Sequence, residues 1–423
     1  MPNPLPVIAA DFKQAKAGIL AVVALIALAV GLGVGVSAQE RAFREGSTRA
    51  ADAFDLLIGA RGSETQLVLS SIYLQTSPLD LIDGNILQDL IENPRVKFAS
   101  PIGFGDNYRG YPIVGVTPQF VTDNTGTLVE GRVFRAINQV VVGHDVQLRV
   151  GDTFEPSHGR MTQAGAQEEH GHLAYKVVGR LSRLGNPWDR AILAPIEAVW
   201  WVHGLPTGHP EYADIFDLGE GHAEGAGGPK LEALPLGPPF TRSLLPGVPS
   251  IVVEPRTFAA AYQLRQQYRS DDRTMALFPA EVLLQIYSLV GDVRDLLAVI
   301  SVITQVLVVG AILLAVLAAL ALRRKTIAVL RAMGASQGYI FLTVWLNVTL
   351  MIAAGAALGL LVGWGTAKLL SAVFAQSTGL LLPVRLSLQE YALVATIIAI
   401  GLVLAAIPSL LTYRQSVSAA LRQ

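Results

Sequence analysis

The sequence predicts a membrane protein with four transmembrane helices and a large α+β extracytoplasmic domain inserted between the first and second spans. Two observations carry that fold class. The 423-residue chain is 52% hydrophobic and only 15% charged, where a soluble domain carries about 25% charge. Its uncharged residues gather in four stretches, 17–36, 296–322, 339–367 and 391–413, each long enough to supply the roughly 20 apolar residues that cross a bilayer core.

Orientation follows from the flanks. Lys13 and Lys16 precede the first span, Arg323, Arg324, Lys325 and Arg331 fill the link between the second and third, and Arg414 and Arg422 follow the fourth. Basic flanks stay in the cytoplasm, so segments 1–16, 323–338 and 414–423 are expected there. The intervening 40–295 holds 31 acidic and 22 basic residues and is expected outside, with the short loop 368–390. The formal net charge of −1 is therefore a cancellation between an acidic outer domain and a basic remainder, and the chain is no nucleic-acid binder. Val36-Ser37-Ala38 resembles a signal-peptidase site, but an uncharged stretch this long exceeds the apolar core of a signal peptide, roughly 7–15 residues, and the first span is expected to be retained in 1–39. The chain has no cysteine, so any metal site must use His and carboxylates.

Within 40–295, the polar segment Glu40 to Gly59 reads as a helical stalk leaving the first span. Gln66 to Tyr73 and Tyr111 to Val116 read as strands, with a helix over Pro78 to Leu90 between them. Gly103 to Gly110 reads as a glycine loop; it lacks the lysine and hydroxyl residue of a P-loop. From 138 to 182 the pattern is β-rich, with Leu173, Tyr175 and Val177 alternating. Ile192 to Trp201 reads as a helix and 204–249 as a long Gly/Pro-rich loop. Ser250 to Val253 is a strand, Thr257 caps a helix to about Tyr268, and Pro279 opens a helix running into the second span. A β-rich subdomain is expected over about 131–248. No nucleophile triad, paired carboxylates or ATPase motif occurs, so the chain reads as a non-catalytic subunit.

The most specific feature is Arg323-Arg324-Lys325-Thr326-Ile327-Ala328-Val329-Leu330-Arg331-Ala332-Met333-Gly334-Ala335-Ser336. Ile327, Leu330 and Met333 share one helical face, Arg324 and Arg331 lie on or beside the other, and Gly334 is a natural terminator. This stretch resembles the cytoplasmic signature of FtsX-like, MacB-type ABC transporter permeases of the mechanotransmission (type VII) class, RRREIAVLRALGAS. The one-plus-three span layout resembles the family too, as do Val417 to Arg422, VGDTF and LAYKVVGRL; Thr326 stands where the family usually has Glu. The resemblance implies a dimeric permease, as a homo- or heterodimer, in a bacterial inner membrane, with its large domain periplasmic. It implies a separate cytoplasmic ABC ATPase that holds ATP and Mg, with the amphipathic segment as the coupling helix. Ile327, Leu330 and Met333 would then be the docking face and Arg324 and Arg331 its rim. A periplasmic adaptor or substrate-binding protein is a further implied partner. An FtsX-like regulator of a cell-wall hydrolase is the alternative; its outer domain would be much smaller.

Two patterns stand beside this. Gly355, Gly359 and Gly363 recur every four residues in the third span and let helices approach closely, while Pro408 is expected to kink the fourth. All seven histidines fall between His144 and His222. The densest part is Glu168-Glu169-His170-Gly171-His172, with His158 in the same loop, and imidazole with carboxylate suits Zn²⁺.

Overall fold

Thirty-six consecutive residues with no proline, Lys16–Ala51, wind into one helix, α2, preceded by the short α1, Leu5–Gln14. The computed structural model describes residues 3–14, 16–75, 77–158, 173–212, 234–286 and 334–413, with Val299, Val302, Ile303, Val306 and Gly310 between them. The chain packs into two units: a helical unit of Met1–Arg44, Leu289–Val373 and Leu382–Gln423, and an α/β unit of Glu45–Ser288 and Phe374–Leu381.

In the helical unit, α8 (Gln337–Thr378) has 42 residues and α9 (Leu388–Tyr413) has 26. Among the described residues, α2 and α8 are long and apolar enough to cross a membrane, and α9 holds a shorter apolar run, Leu388–Val403. Nearly all of the expected second span, 296–322, lies outside the described residues, as does 414–423. Ile26, Val30 and Val34 of α2 pack with Val348, Ile352 and Ala356 of α8 and Val394 and Ala405 of α9. Pro408 lies within helical backbone.

The α/β unit is built on strands β1 (Leu56–Ala60), β2 (Val96–Tyr108), β3 (Tyr111–Val116), β4 (Leu128–Gly131), β5 (Gln139–Val142), β6 (Thr153–Phe154), β7 (Ser157–His158), β8 (Tyr175–Leu181), β9 (Ile192–Pro195), β10 (Ser250–Pro255) and β11 (Thr274–Leu277). They hydrogen-bond in the order β11-β1-β10-β2-β3-β9-β5-β8-β4, with β6 on β8 and β7 on β2. Pairs β3/β9 and β5/β8 are parallel; the others are antiparallel. The long β2 joins the two halves, pairing with β10 through its first residues and with β3 from Gly103 onward. Helices α3 (Glu64–Ser71), α4 (Asn85–Glu92), α5 (Pro118–Asp123), α6 (Ile196–Val202) and α7 (Phe258–Arg269) cover its faces, and 279–286 is helical.

Side-chain alternation shows how the two halves share a core. Leu57, Val252, Val114, Leu193, Val141 and Val178 all enter one cluster, with Phe54, Phe120 and Trp188, so one face carries a continuous core under the whole path. The opposite face is divided. Leu56, Ile58, Ile251 and Val253 pack with Leu87, Leu90, Leu264 and Trp200 at one end, while Val140, Val142, Tyr175, Val177 and Ile192 form a separate cluster at the other. Strands of the 131–248 stretch thus extend the same sheet as β1–β3 and β10–β11 and share its common core.

Five local expectations are corrected. Gln66 to Ser71 is helical and Ile72 and Tyr73 form a turn, none of it extended: Ser63 accepts the Gln66 N–H at 3.2 Å, and Leu67, Val68 and Ser71 are buried at helical spacing. The helix expected from Pro78 begins at Asn85. Ile192 to Trp201 is a strand followed by a helix, divided at Pro195, which can open a helix but cannot continue one. Gly103 to Tyr108 belongs to β2, and its glycine has a packing reason: a methyl at Gly103 would lie 2.6 Å from Ile196 Cδ1, and one at Gly115 2.7 Å from Val199 Cγ2. Helix α6 lies directly on that bare backbone. The stalk helix ends at Ala51, and Leu56 to Ala60 is strand.

Candidate functional site

The described part of the site lies where α2, α8 and α9 meet. On α8, Gly355, Gly359 and Gly363 form one buried row facing α2. A methyl on them would lie 2.6 Å from Ile26 Cβ, Val30 Cβ and Gly31 O respectively. These are separations no Cβ adopts, so the row is where the two backbones close on each other within one chain. The valines of α2 take the space the glycines leave. Helix α8 is joined to α9 by the Trp345 indole N–H donating to Leu402 O at 3.1 Å, and to the segment that precedes α9 by Ser371 Oγ donating to Leu382 O at 2.7 Å.

At one end of these helices is a polar clasp that the charge reading passed over. Glu390, the only charged residue of α9, is fully buried. Its Oε1 accepts from Ser37 Oγ at 2.8 Å and Arg41 Nη1 at 2.7 Å; its Oε2 accepts from Ser387 N and Ser387 Oγ, each at 2.7 Å. Arg41 also donates to Ser387 Oγ at 2.7 Å and to Arg385 O. Ser37 and Arg41 are one turn apart on α2, so a single face of that helix supplies both donors. Ser387-Leu388-Gln389-Glu390 is a capping box: Ser387 Oγ accepts the Gln389 N–H at 3.2 Å while Glu390 reaches back to the Ser387 N–H. That S-x-x-E signature ahead of an apolar run was the available signal for Ser387 and Glu390. Nothing in the sequence announced Arg41 as their partner.

Of the expected coupling residues, Gly334 is described and has φ +96°, a left-handed conformation that suits glycine. Ser336 then accepts the Tyr339 N–H at 3.2 Å at the start of α8. Arg324, Ile327, Leu330, Arg331 and Met333 lie outside the described residues, as do Glu168, His170 and His172. His158 is described in backbone alone, opposite Asp106 in the β7–β2 pair. Among the described residues no group of three or more metal-capable side chains converges. His144 is hydrogen-bonded to Asp145 at 2.8 Å, and the His203 ring bonds Val199 O at 2.7 Å.

Residues 298–420 match the FtsX-like permease C-terminal family. This stretch carries an FtsX-like permease C-terminal domain. That match takes in the basic segment 323–336, the glycine row and α9 with Ser387 and Glu390, while Ser37 and Arg41 of the clasp lie outside it. Similar solved structures include the periplasmic region of MacB from Actinobacillus actinomycetemcomitans, at 10% identity and a TM-score of 0.33 over 56% of this chain and 94% of that one. Another is the extracellular domain of the noncanonic ABC-type transporter YknZ from Gram-positive bacteria, at 9% identity and a TM-score of 0.27 over 52% of this chain and 98% of that one. No curated protein matches the chain.

Proposed function

We propose that this permease-type chain is the transmembrane subunit of an ABC transporter. In this reading a separate cytoplasmic ATPase docks on the amphipathic helix at 323–336, and ATP-driven movement of four spans is relayed to the extracytoplasmic domain to handle an envelope substrate. The observation that carries the reading is the FtsX-like match across 298–420, which contains the segment whose sequence offers an apolar face of Ile327, Leu330 and Met333 and a basic rim of Arg324 and Arg331. A short amphipathic helix between two spans has one side to rest on the membrane unit and one to receive a partner, and two guanidinium groups suit acidic groups on it. The chain works as a dimer, in an inner membrane, with the acidic domain in the periplasm. The unbroken α2 supports the relay, because one rigid helix contributes residues to both units.

Leu330→Asp tests the docking face. The exchange places a charge on the apolar side of the helix and is expected to abolish co-purification of the ATPase and ATP-driven output, with an unaltered melting temperature of the permease in detergent. Unchanged partner binding and output overturn the assignment. Zn²⁺ at His158, Glu168, His170 and His172 is proposed on donor chemistry alone. Calorimetric titration of the full chain is expected to detect a site that His170→Ala with His172→Ala abolishes; binding weaker than about 100 µM, the level of any histidine-rich tract, counts against it.

A further inference from the structure

The tip of the hairpin between α8 and α9 is packed differently from the helices that supply it. Phe374–Leu381 belongs to the α/β unit, although the residues on either side, through Val373 and from Leu382, belong to the helical unit. The cause is a set of backbone contacts with the 3-10 turn Pro187–Arg190 and the residues before it. The Leu381 N–H donates to Gly185 O at 3.1 Å, and the Arg190 guanidinium donates to Gln376 O. Gly379 closes α8 through its N–H to Ala375 O at 2.8 Å with φ +74°, and a methyl there would lie 3.1 Å from both Pro187 Cα and Arg190 Cδ. Conformation and space both require glycine at that position.

The receiving turn is anchored in the core. Asp189 is fully buried and its carboxylate accepts the N–H groups of Leu184 at 2.8 Å and Gly185 at 2.7 Å. Trp188 donates its indole N–H to Ile72 O at 3.1 Å, and its ring centroid lies 5.0 Å from Phe120 and 5.9 Å from Phe54, inside the cluster that runs under the whole sheet. A load applied at Leu381 or Gln376 therefore meets a turn whose every polar anchor is internal to the α/β unit.

We propose that Phe374–Leu381 is a strap, a further mechanical tie between the apolar helices and the α/β unit in addition to the two main-chain passages at residues 44–45 and 288–289. Its positioning residues are Gly185, Arg190 and Gly379. The relay role rests on the permease reading above; the docking itself does not. Through the strap, displacement of α8 and α9 reaches the sheet core at Trp188 without passing along α2.

The chain has no cysteine, so Gly185→Cys with Leu381→Cys in the full-length protein gives an unambiguous cross-link. A Cβ at Gly185 would lie 3.7 Å from Leu381 Cβ, the spacing of a disulfide. Gly185 is left-handed, φ +75°, a conformation that a cysteine adopts at a modest cost. Mild oxidation in native membranes is expected to cross-link more than half of the chains, and Gly379→Val added to the pair is expected to cut that yield at least five-fold. The oxidised double-cysteine protein is expected to keep ATP-driven output within two-fold of its reduced form. Cross-linking below a tenth, or untouched by Gly379→Val, overturns the docking. Efficient cross-linking that removes output and is reversed by reduction overturns a permanent tie, since the strap would then have to release. The disulfide is read without ATP, so a wild-type chain that supports no ATP-dependent output rejects the permease reading alone, while its cross-link still decides the docking.

Discussion

Glu390 shows how much one buried carboxylate can organise. Its two oxygens receive four hydrogen bonds, and Arg41 supplies the compensating charge with its side chain only 19% exposed. Removing one member of such a pair strands the other, at a cost of about 3–5 kcal/mol, whereas replacing both by apolar groups is far milder. Glu390→Ala is therefore expected to lower the melting temperature in detergent sharply, and Arg41→Leu with Glu390→Leu to recover most of the loss. Equal losses in the single and double variants would mean that the pair is not coupled. Asp189 gives a prediction of opposite electrostatic sign. Burial, opposed by the Leu184 and Gly185 N–H groups, lifts its carboxyl above the ordinary 3.8. A folded-state value above the unfolded one means that the folded chain holds the proton more tightly, so this contribution to stability is complete below 3.8 and declines as pH rises through the raised value. Asp189→Asn should flatten that part of the melting temperature against pH; an unchanged slope assigns it to another group.

At the scale of elements, the glycine row predicts its own substitution pattern. Gly359→Val would force a side chain to within 2.6 Å of Val30 Cβ and 2.8 Å of Ala27 O, and overpacking of that kind costs about 1–3 kcal/mol. Gly365, on the same helix, has nothing within 4 Å, and Gly365→Val is expected to leave the melting temperature unchanged; comparable losses at both sites would deny the row its role as a seam. Periodic apolar helices and their caps were legible from sequence, as Thr257 before α7 shows. Strand-forming residues were harder to read where both sheet faces are buried. Ile192–Pro195 is buried at every position, so it has no alternation and reads like part of the helix behind it. Gln66 to Tyr73 resembles a strand for the converse reason, because its apolar residues look extended unless Ser63 and Gln66 are seen as a capping pair. The clasp and the strap join residues 349 and 196 positions apart, Arg41 with Glu390 and Gly185 with Leu381, and no local pattern encodes which distant partner a cap or a turn will meet.

At the scale of the whole molecule, three helices change character at one level. Gly35 of α2 lies beside Thr366 of α8, a methyl on it being 3.5 Å from Thr366 Oγ1. Just beyond that level stand the clasp residues Ser37, Arg41, Ser387 and Glu390, and Lys368 with its ammonium 4.0 Å from the Trp364 ring centroid. Tryptophan and lysine together are what a bilayer interface selects. In the sequence, the uncharged runs 17–36, 339–367 and 391–413 each separate these residues from a basic segment, at Lys13, Arg331 and Arg414 respectively. At 42 residues α8 is about 63 Å long, roughly twice a hydrocarbon core of about 30 Å, so the helix is longer than a single crossing needs, and Lys368 and its neighbours are expected to mark one face of the membrane. Single cysteines in this cysteine-free chain test which face that is. Asp272, 94% exposed at its side chain in the α/β unit, is expected as Asp272→Cys to react with a membrane-impermeant maleimide in intact cells whose outer envelope has been opened, and Lys325→Cys only after the inner membrane is permeabilised. Labelling of Lys325→Cys from outside would reverse the topology and move any ATPase contact away from 323–336, because the ATP that drives such a partner is held in the cytoplasm.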